Sequence, residues 1–504
     1  MVLRISALCA VGAFLVAGCG GGGEVAGTDG ADRVPASADL FVAVNTDFES
    51  EEWKAASDLV DKFPGGDEAA RQLLGSLEED DVDFERDVKP ALGPEVDIVI
   101  LDFNAGEDPE AVALTEPRDR EKFEALMAKG NDPAEFEIDG DWAIVAESQD
   151  VIDRFQKAAA EGDSLADSDG FQNAMDGLPE DALAKVYVNA RAVGEVASAE
   201  SQVQTEQLQE CAPGGRATAY AAAIQTEQDG IRFEAVAPTE GGEEPDTYQA
   251  DLPGDLPAGA LAYVSFNNLA DPIRAFVKCA GEQNEIVDRT LAQVELALGV
   301  SLEEDVLPLF ENEGALVLYR GPQADLLSSG AEINVDPSQY LTASLVLEVE
   351  DEGEARTTID RIAERAQAFA GEQITVRKRE IVDVEATELA FGDFSLVYAA
   401  FDGKLVVTTT DDGISTLLDE DGEKLEDDEI YEQALESSGA PDETTGFFYA
   451  NLEAGLDYAL TLIQASGETV PPQVRDNLEP LQSFLVHGSF GDGGAKAAGL
   501  LRVE

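Results

Sequence analysis

The chain has 504 residues, of which 44% are hydrophobic, a share typical of globular domains. Its charge is extreme, because 105 Asp and Glu residues stand against 32 Lys and Arg residues, for a net charge of −73. Such a surface repels phosphate backbones and anionic head groups, which excludes nucleic-acid binding. The acidity is typical of solubility in a salty or cation-rich exterior, and recognition of a cationic ligand is the alternative.

Residues 1–18 have the pattern of a secretory signal. Arg4 is the only charged residue, and the apolar run that follows is too short to span a membrane. The segment ends Val-Ala-Gly before Cys19, which resembles the lipobox of bacterial lipoproteins, where the Cys thiol receives a diacylglycerol. We therefore expect acylated Cys19 to begin the mature chain and to anchor it to the outer leaflet of the cytoplasmic membrane. The Gly-rich residues 19–33 predict a flexible tether.

The cysteine count gives a second expectation. Cys9 leaves with the signal and Cys19 is lipidated, so Cys211 and Cys279 remain. Outside the cytoplasm a disulfide can persist, and these two residues would close a loop of 68 residues. The alternative is two buried free thiols.

Beyond the tether, the sequence contains most of its features twice. Residues 35–45 and 257–267 both read as Pro-Ala, a turn and a strand that ends in Asn, with amphipathic helices after them. Residues 82–90 then align without gaps with residues 300–308, each a short helical turn that ends at Pro.

Later blocks repeat in the same order. Each copy has an Asp-Gly turn before a strand, a Leu-x-Asp segment before a helix, another strand and a final hairpin. We interpret the chain as two homologous domains, 34–240 and 254–504, joined by an acidic linker over 241–253. The second copy has an additional strand pair near 373–399.

The pattern of strands and helices predicts the fold class. Hairpins and helices in irregular alternation favour α+β, with two tandem domains that each have a mainly antiparallel sheet and helices packed on one face. The repeated blocks resemble those of bacterial exported proteins with "domain of unknown function 3352". The likeness lies in the Pro-Ala-x-Ala-x-x-Phe/Tyr-Val start, the Glu-x-Asp-Val-x-Pro block and the Asp-x-x-x-Phe/Tyr-x-x-Ala block. The resemblance implies an extracytoplasmic protein, and it assigns no reaction and no catalytic residues.

No catalytic, cofactor or metal signature is identified in the sequence, so we expect a protein that is not an enzyme. The single histidine, His487, precedes Ser489, but a nucleophile elbow needs Gly two residues before the Ser and a helix after it. Two acidic segments, 167–170 and 419–422, resemble fragments of a calcium loop but lack the ligands of that motif. The acidic residues of these segments are better explained as caps of the helices that follow them. A weak Ca²⁺ site of another type is the alternative.

Three functions follow from these observations. The first is a non-catalytic lipoprotein that binds an envelope protein or acts as an envelope scaffold. The second is a carrier of an apolar ligand such as a lipid, in a cavity lined by helices rich in Ala and Leu over 290–298 and 456–465. The third is a hydrolase that uses carboxylates alone, which requires convergent acids with raised pKa values in a cleft.

Overall fold

The structure is a computed structural model with helices and strands in alternation. It describes residues 28–66, 82–103, 109–129, 134–194, 211, 214–242, 244–327, 337–392, 394–419, 421–491 and 493–504. Residues 1–18, the lipidation site Cys19 and the tether up to residue 27 lie outside the described residues. We call residues 28–242 the first half and residues 244–504 the second half.

Strands make up the centre of the molecule. In the first half they are β1 (Leu40–Asn45), β2 (Glu95–Ile100), β3 (Ala111–Thr115), β4 (Glu135–Asp139), β5 (Trp142–Ala146), β6 (Ala184–Asn189), β7 (Arg216–Ala217), β8 (Ala219–Glu227), β9 (Gly230–Ala237) and β10 (Thr239–Glu240). In the second half they are β11 (Ala262–Asn267), β12 (Glu313–Arg320), β13 (Leu341–Glu348), β14 (Ile374–Ile381), β15 (Val384–Phe391), β16 (Phe394–Phe401), β17 (Lys404–Thr408), β18 (Gly446–Asn451), β19 (Leu481–Gly491) and β20 (Gly494–Val503).

Helices connect these strands. The α-helices are α1 (Glu51–Asp61), α2 (Arg120–Met127), α3 (Gln149–Glu161), α4 (Asp169–Met175), α5 (Ala270–Gln283), α6 (Glu285–Leu298), α7 (Ala324–Leu327), α8 (Pro337–Tyr340), α9 (Glu352–Ala370), α10 (Asp412–Ser415), α11 (Glu429–Ser438), α12 (Leu452–Ala465) and α13 (Pro472–Leu478). Short 3₁₀ turns include Asp29–Arg33 and Leu252–Gly254, and π turns occupy Phe84–Val88 and Leu302–Val306.

Eighteen of the described strands form one antiparallel sheet. Their hydrogen bonds order them β4-β5-β3-β2-β1-β6-β8-β9-β20-β19-β18-β11-β12-β13-β17-β16-β15-β14. Read from each outer side towards β9 and β20, both halves have the same strand order, apart from the β14–β15 hairpin at one edge. The additional pair expected near 373–399 is this hairpin.

The two halves meet where β9 pairs with β20, and we call this pairing the seam. Ala237 lies opposite Ala495 and Gly230 lies opposite Arg502, so the pairing runs along almost the whole of both strands. The predicted domains therefore share a single sheet. A pairing of this length satisfies the backbone groups of two strands that would otherwise be sheet edges.

Helices cover both faces of the sheet. We call the face that carries Phe41 and Tyr263 face A, and the opposite face, which carries Val42 and Val264, face B. On face A, α3 and α4 pack in the first half and α11 packs in the second. On face B, α2 and α9 pack at the two outer ends.

The α+β class and the antiparallel sheet are confirmed, and the expectation that helices lie on one face is corrected. The reason is visible in β3, where Val112 faces one core and Ala113 faces another. A strand that is apolar on both sides needs a covering layer on each side.

Residues of the predicted tether and of the predicted linker pack against the rest of the protein. Residues 29–33, assigned to the tether, form a 3₁₀ turn whose Gly30 and Ala31 are buried. A side chain at Gly30 would overlap the Asp97 carboxylate, so only glycine allows this close approach. In the linker, the backbone of Tyr248 pairs with that of Thr444, which attaches this part of the linker to the second half.

Candidate functional site: an apolar trough at the seam

The central strands carry small apolar side chains on face B. Alanines of β8, β9 and β20 form a floor there, and larger residues of β6 and β8 border it, because alternation places every second residue on one face. Together they enclose an open trough of about 310 Å³. We call this surface the seam trough, and its face-B side chains are Val186, Val188, Tyr220, Ala222, Ala235, Ala237, Ala495 and Ala497.

The trough has an apolar border on its second-half side. Phe490 lies opposite Ala495, and Val486 lies opposite Gly499. Phe233 stacks on Phe484, with ring centroids 5.4 Å apart. A side chain at Gly499 would overlap the Phe233 ring, so the glycine lets this ring lie across the seam. The larger side chains on each side leave the alanine floor as a depression.

The opposite face of β9 and β20 carries charged side chains beside its core residues. Arg232 on face A donates to the backbone carbonyls of Ser437 and Ser438 at the end of α11, and it pairs with Glu227. Lys496 lies opposite Val236 in the pairing, so its side chain also belongs to face A. At the seam, charged side chains therefore lie on face A, and the side chains on face B are apolar and partly exposed.

A second concavity, which we call the end cleft, lies where the seam strands end near Gly230 and Val503. It measures about 590 Å³ and lies between the end of α1 and helices α12 and α13. Lys62 joins the halves here, because its Nζ donates to the carbonyls of Gln228 and Val503 at 2.9 Å each. The lining residues Leu456 and Leu460 belong to the Ala- and Leu-rich segment 456–465 that the sequence suggested for a cavity.

The end cleft has a polar floor and an acidic rim. Gln482 is 7% exposed and lines this cleft. Five exposed carboxylates line the rim, against the cations Lys62 and Arg475, and Arg475 pairs with Asp457 at 2.8 Å. The carboxylates are Glu453, Asp457, Asp476, Glu479 and Glu504.

A pair of buried acids lies elsewhere, on face A under the turn Asp29–Arg33. Asp97 is fully buried and Glu95 is 7% exposed. Burial, followed by the charge of Glu95, raises the pKa of Asp97 well above its ordinary range, and burial also raises the pKa of Glu95. A carboxylate hydrolase would require convergent acids with raised pKa values in a cleft, but solvent does not reach Asp97.

The two remaining cysteines are joined. A disulfide links Cys211 to Cys279 of α5, with Cα atoms 5.5 Å apart. It connects the end of the first half to the second half, as the predicted pairing implies. Cys19 lies outside the described residues.

The residues tested for catalysis do not form a triad. His487 and Ser489 lie in β19, and strand β20 follows them instead of a helix. His487 is buried on face A, where desolvation and then the charge of Arg232 lower its pKa.

The calcium-like segments lie beside helix starts. Ser168 caps α4 by accepting from the Phe171 amide, and Asp169 lies in the first turn. Asp428 caps α11, after the second acidic segment. Within the residues that the structure describes, no group of three or more His, Cys, Asp or Glu side chains is arranged to hold a metal ion.

Sequence reasoning missed the seam trough, although two signals for it exist. Residues 221–223 and 497–499 are short runs of Ala and Gly in strands, where bulky side chains are usual. Successive residues of each run alternate between the two faces, and the sequence does not say which strand pairs with β9. The trough exists only because β9 pairs with β20.

Fold and site define an α+β protein with one antiparallel sheet, helices on both faces and an apolar trough at its centre. No described helix is long and apolar enough to cross a bilayer. The family model "Protein of unknown function (DUF3352)" matches residues 121–489. The chain belongs to this family, and the match extends from α2 in the first half to β19 in the second.

Comparison with solved structures gives distant similarity. The chain is similar to crystal forms III and IV of TP0453, at 9% and 10% identity and TM-scores of 0.24 and 0.25. These matches cover 50% and 51% of this chain and 79% and 81% of the other. No curated protein matches the chain.

Proposed function

We propose that the chain is a non-catalytic, extracytoplasmic lipoprotein that holds an apolar ligand, such as a lipid acyl chain, in the seam trough. One observation carries the proposal. The floor and border of the trough are apolar apart from the Tyr220 hydroxyl, yet these side chains are partly exposed, while Ala221, Ala223 and Val236 on the other face of the same strands are buried.

Exposed apolar area has a cost that a ligand removes. Each Å² of apolar surface left in water forgoes about 25 cal/mol, which a bound apolar ligand would recover. The protein as a whole is strongly acidic, so the seam trough differs from its surroundings in having only apolar side chains apart from Tyr220. A lipid anchor at Cys19 would keep the seam trough close to a membrane, which is a source of acyl chains.

The proposal includes a tandem duplication, for which equivalent details give support. The Asp87 carboxylate accepts from the Asp83 amide at 2.9 Å, and that of Asp305 accepts from the Ser301 amide at 2.7 Å. Each closes a π turn at the same place in its half. Since π turns are rare, two at aligned positions favour a common origin.

Ligand binding can be tested with a fluorescent apolar probe. We expect the delipidated full chain to bind N-phenyl-1-naphthylamine with increased fluorescence, and Ala497→Phe, which fills the trough, to remove most of the increase. Lys496→Leu is the matched control, because it places an apolar side chain of similar size on face A of the same strand. Wild-type fluorescence unchanged from buffer, or equal effects of the two variants, would overturn the proposal.

The anchor is tested separately in cells. Cys19→Ala should release the protein into the medium or leave it unprocessed, because no thiol remains for acylation. Cys9→Ala lies within the signal and should leave the protein in the membrane fraction. Membrane retention of Cys19→Ala would contradict lipidation at this residue.

A further inference from the structure

The sheet ends at two edge strands that carry opposite charges. Strands β4 and β14 lie at the two ends of the strand order, and within the described residues each pairs on one side only. Strand β4 carries the exposed carboxylates Glu135, Glu137 and Asp139 at alternate positions. Strand β14 carries residues 377–379, Arg-Lys-Arg, which are exposed and are the only adjacent cations in the sequence. The two ends of the sheet are therefore complementary in charge.

These charges lie on the same face of the sheet. The strand pairings place the three carboxylates of β4 on face A. Arg377 and Arg379 lie on face A as well, and Lys378 between them lies on face B. A sheet that continued from one copy of the chain into another would bring the carboxylates and the two arginines together on one side.

The directions of the two edge strands allow such a continuation. Each neighbouring pair in the eighteen-stranded sheet is antiparallel, and an odd number of steps separates β4 from β14. The two strands therefore run in opposite directions. A second copy in the same orientation places its β4 antiparallel to β14 of the first copy, with face A of both on the same side.

The hairpins of the two edge strands decide which backbone groups point outward. Asp139 pairs with Trp142, and Ile381 pairs with Val384, so each hairpin has a turn of two residues. The pair of residues that closes such a turn is hydrogen-bonded. Inward and outward groups then alternate along each strand, because bonded and non-bonded pairs alternate in an antiparallel ladder.

The outward groups of the two edges have the same spacing. By this alternation they belong to Phe136 and Ile138 in β4, and to Val376 and Lys378 in the middle of β14. The carbonyl of Ile374 in the same outward set accepts from a side chain at 3.4 Å, as expected of a group that points away from β15. Two alternate residues of each strand therefore direct N–H and C=O groups away from the sheet.

From these matched edges we propose that β14 of one copy pairs with β4 of a second copy, so that the edges are docking surfaces for another molecule of the same protein. The antiparallel register that joins the outward groups places Lys378 opposite Phe136 and Val376 opposite Ile138. The inference goes beyond the proposed function and does not depend on it. The seam trough lies at the centre of the sheet, so pairing at the edges leaves it open.

Charge gives the pairing its direction. In this register Arg377 lies opposite Glu137 and Arg379 lies opposite Glu135, all on face A. Opposite charges directly across a strand pair stabilise it and like charges destabilise it, so two β4 edges or two β14 edges repel each other. Each copy has one edge of each kind, and copies therefore join head to tail.

The arginines of β14 have partners in their own chain that do not prevent this contact. Arg377 is 63% exposed and lies 3.9 Å from Glu388, and Arg379 pairs with Asp411 at 2.7 Å. Exposed ion pairs contribute little to stability. A carboxylate from another copy can therefore join or replace these partners at little cost.

Sedimentation velocity of the full chain at physiological salt tests the pairing. We expect the average mass of the wild type to rise with protein concentration. Arg377→Glu with Arg379→Glu should require about tenfold more protein for the same average mass, because two attractive pairs become repulsive. Arg216→Glu with Arg475→Glu is the matched control, because it replaces two exposed, ion-paired arginines of β7 and α13 and changes the net charge equally.

Reversal of the other edge provides a test by complementation. Glu135→Lys with Glu137→Lys should also weaken self-association. A mixture of the two edge variants should associate again, because the reversed β14 matches the reversed β4 and the two unaltered edges match each other. A wild type that stays monomeric, an edge variant that associates as the control does, or a mixture without recovery would overturn the proposal.

Cysteine pairs test the register without reversing a charge. Glu137→Cys mixed with Arg377→Cys should form a disulfide between copies on oxidation, because residues directly opposite each other lie within range of that bond. Glu137→Cys mixed with Lys378→Cys is the control, because Lys378 lies on face B. Equal cross-linking in the two mixtures, or none in the first, would overturn this register.

Discussion

Glu95 and Glu313 occupy equivalent positions in the two halves of the sheet. Glu95 is the first residue of β2 and lies opposite Asn45 of β1, and Glu313 is the first residue of β12 and lies opposite Asn267 of β11. Each is buried beneath a 3₁₀ turn that enters its half. The Glu313 carboxylate accepts from the amides of Asp251 and Leu252 at 2.8 Å and 3.2 Å, so a buried acid secures the entry of the chain in both halves.

Glu313 makes stability depend on pH near neutrality. Burial raises its pKa to about 7 from an ordinary value of 4.5. The folded state therefore binds the proton more tightly, and stability falls as pH rises between about 4.5 and 7. Glu313→Gln should remove this part of the decline, on the order of 2–3 kcal/mol by urea unfolding at pH 5 and pH 8. Glu380→Gln, exposed on β14, is the control, and an unchanged slope in Glu313→Gln would contradict the account.

Asp97 should behave as a destabilising group at alkaline pH. Within the described residues no amide or cationic side chain donates to its carboxylate, and burial, followed by the charge of Glu95, raises its pKa well above the ordinary range. Asp97→Asn should stabilise the chain by about 1–3 kcal/mol in thermal unfolding at pH 8, with a smaller gain at lower pH, because the folded state holds the Asp97 proton more tightly than the unfolded state.

Asp39 is the matched control for Asp97. It is equally buried, but it pairs with Arg191 at 2.6 Å and accepts from the Phe103 amide at 2.9 Å. Asp39→Asn should therefore destabilise the chain in the same thermal-unfolding assay. Equal effects of the two substitutions would show that burial alone, and not hydrogen bonding, decides the outcome.

The equivalent acids Asp87 and Asp305 should contribute similarly. Asp87 pairs with Arg86 and Lys129, and these contacts hold its pKa well below the ordinary range. The Ser301 amide and then Arg361 lower the pKa of Asp305. Their stabilisation is present above pH 4 and is lost as pH falls further.

Asp87→Asn and Asp305→Asn should each cost about 1–2 kcal/mol at pH 7, measured by chemical denaturation. Glu85→Gln is the control, because its pair with Lys89 is exposed and 3.7 Å long, so the loss should stay below about 0.5 kcal/mol. A large loss for only one of the two Asp variants would count against equivalent turns.

The disulfide predicts that substituting either cysteine lowers the stability as much as substituting both. Loss of either Cys211 or Cys279 removes a link across 68 residues, worth about 4 kcal/mol in the chain-entropy model. Cys211→Ser, Cys279→Ser and the double variant should therefore unfold at the same denaturant concentration. Alkylation under denaturing, non-reducing conditions should label neither thiol of the wild type, and labelling of both would disprove the bond.

Local structure was predictable from the sequence where the pattern was strong. A strand was expected after each Asp-Gly turn and another before each final hairpin, and these strands include Trp142–Ala146, Ala184–Asn189 and Gly446–Asn451. Apolar or alternating runs between turn residues specify strands. The hairpin after β4 turns at residues 140–141, one residue later than the Asp-Gly step suggested. Asp139 is still paired with Trp142, and this pairing fixes the register.

The features that depend on distant contacts were not predictable. Nothing in either sequence segment states that Ala237 lies opposite Ala495, so neither the single sheet nor the trough could be foreseen. Residues 29–33 read as tether because Gly and Asp favour loops. In the structure Gly30 packs closely against Asp97, which is distant in the sequence. Nothing in the sequence distinguishes Asp97 from the other acidic residues, of which there are 105 in all.

The central claim is that the seam trough holds an apolar molecule, and mass spectrometry of the natively purified full chain tests it most directly. We predict a bound lipid that is released on denaturation and is present at about one per chain in the wild type and in Lys496→Leu. Ala497→Phe should lack it, because the added ring occupies the floor of the trough. A wild-type chain free of bound lipid, or equal lipid content in Ala497→Phe, would contradict the account.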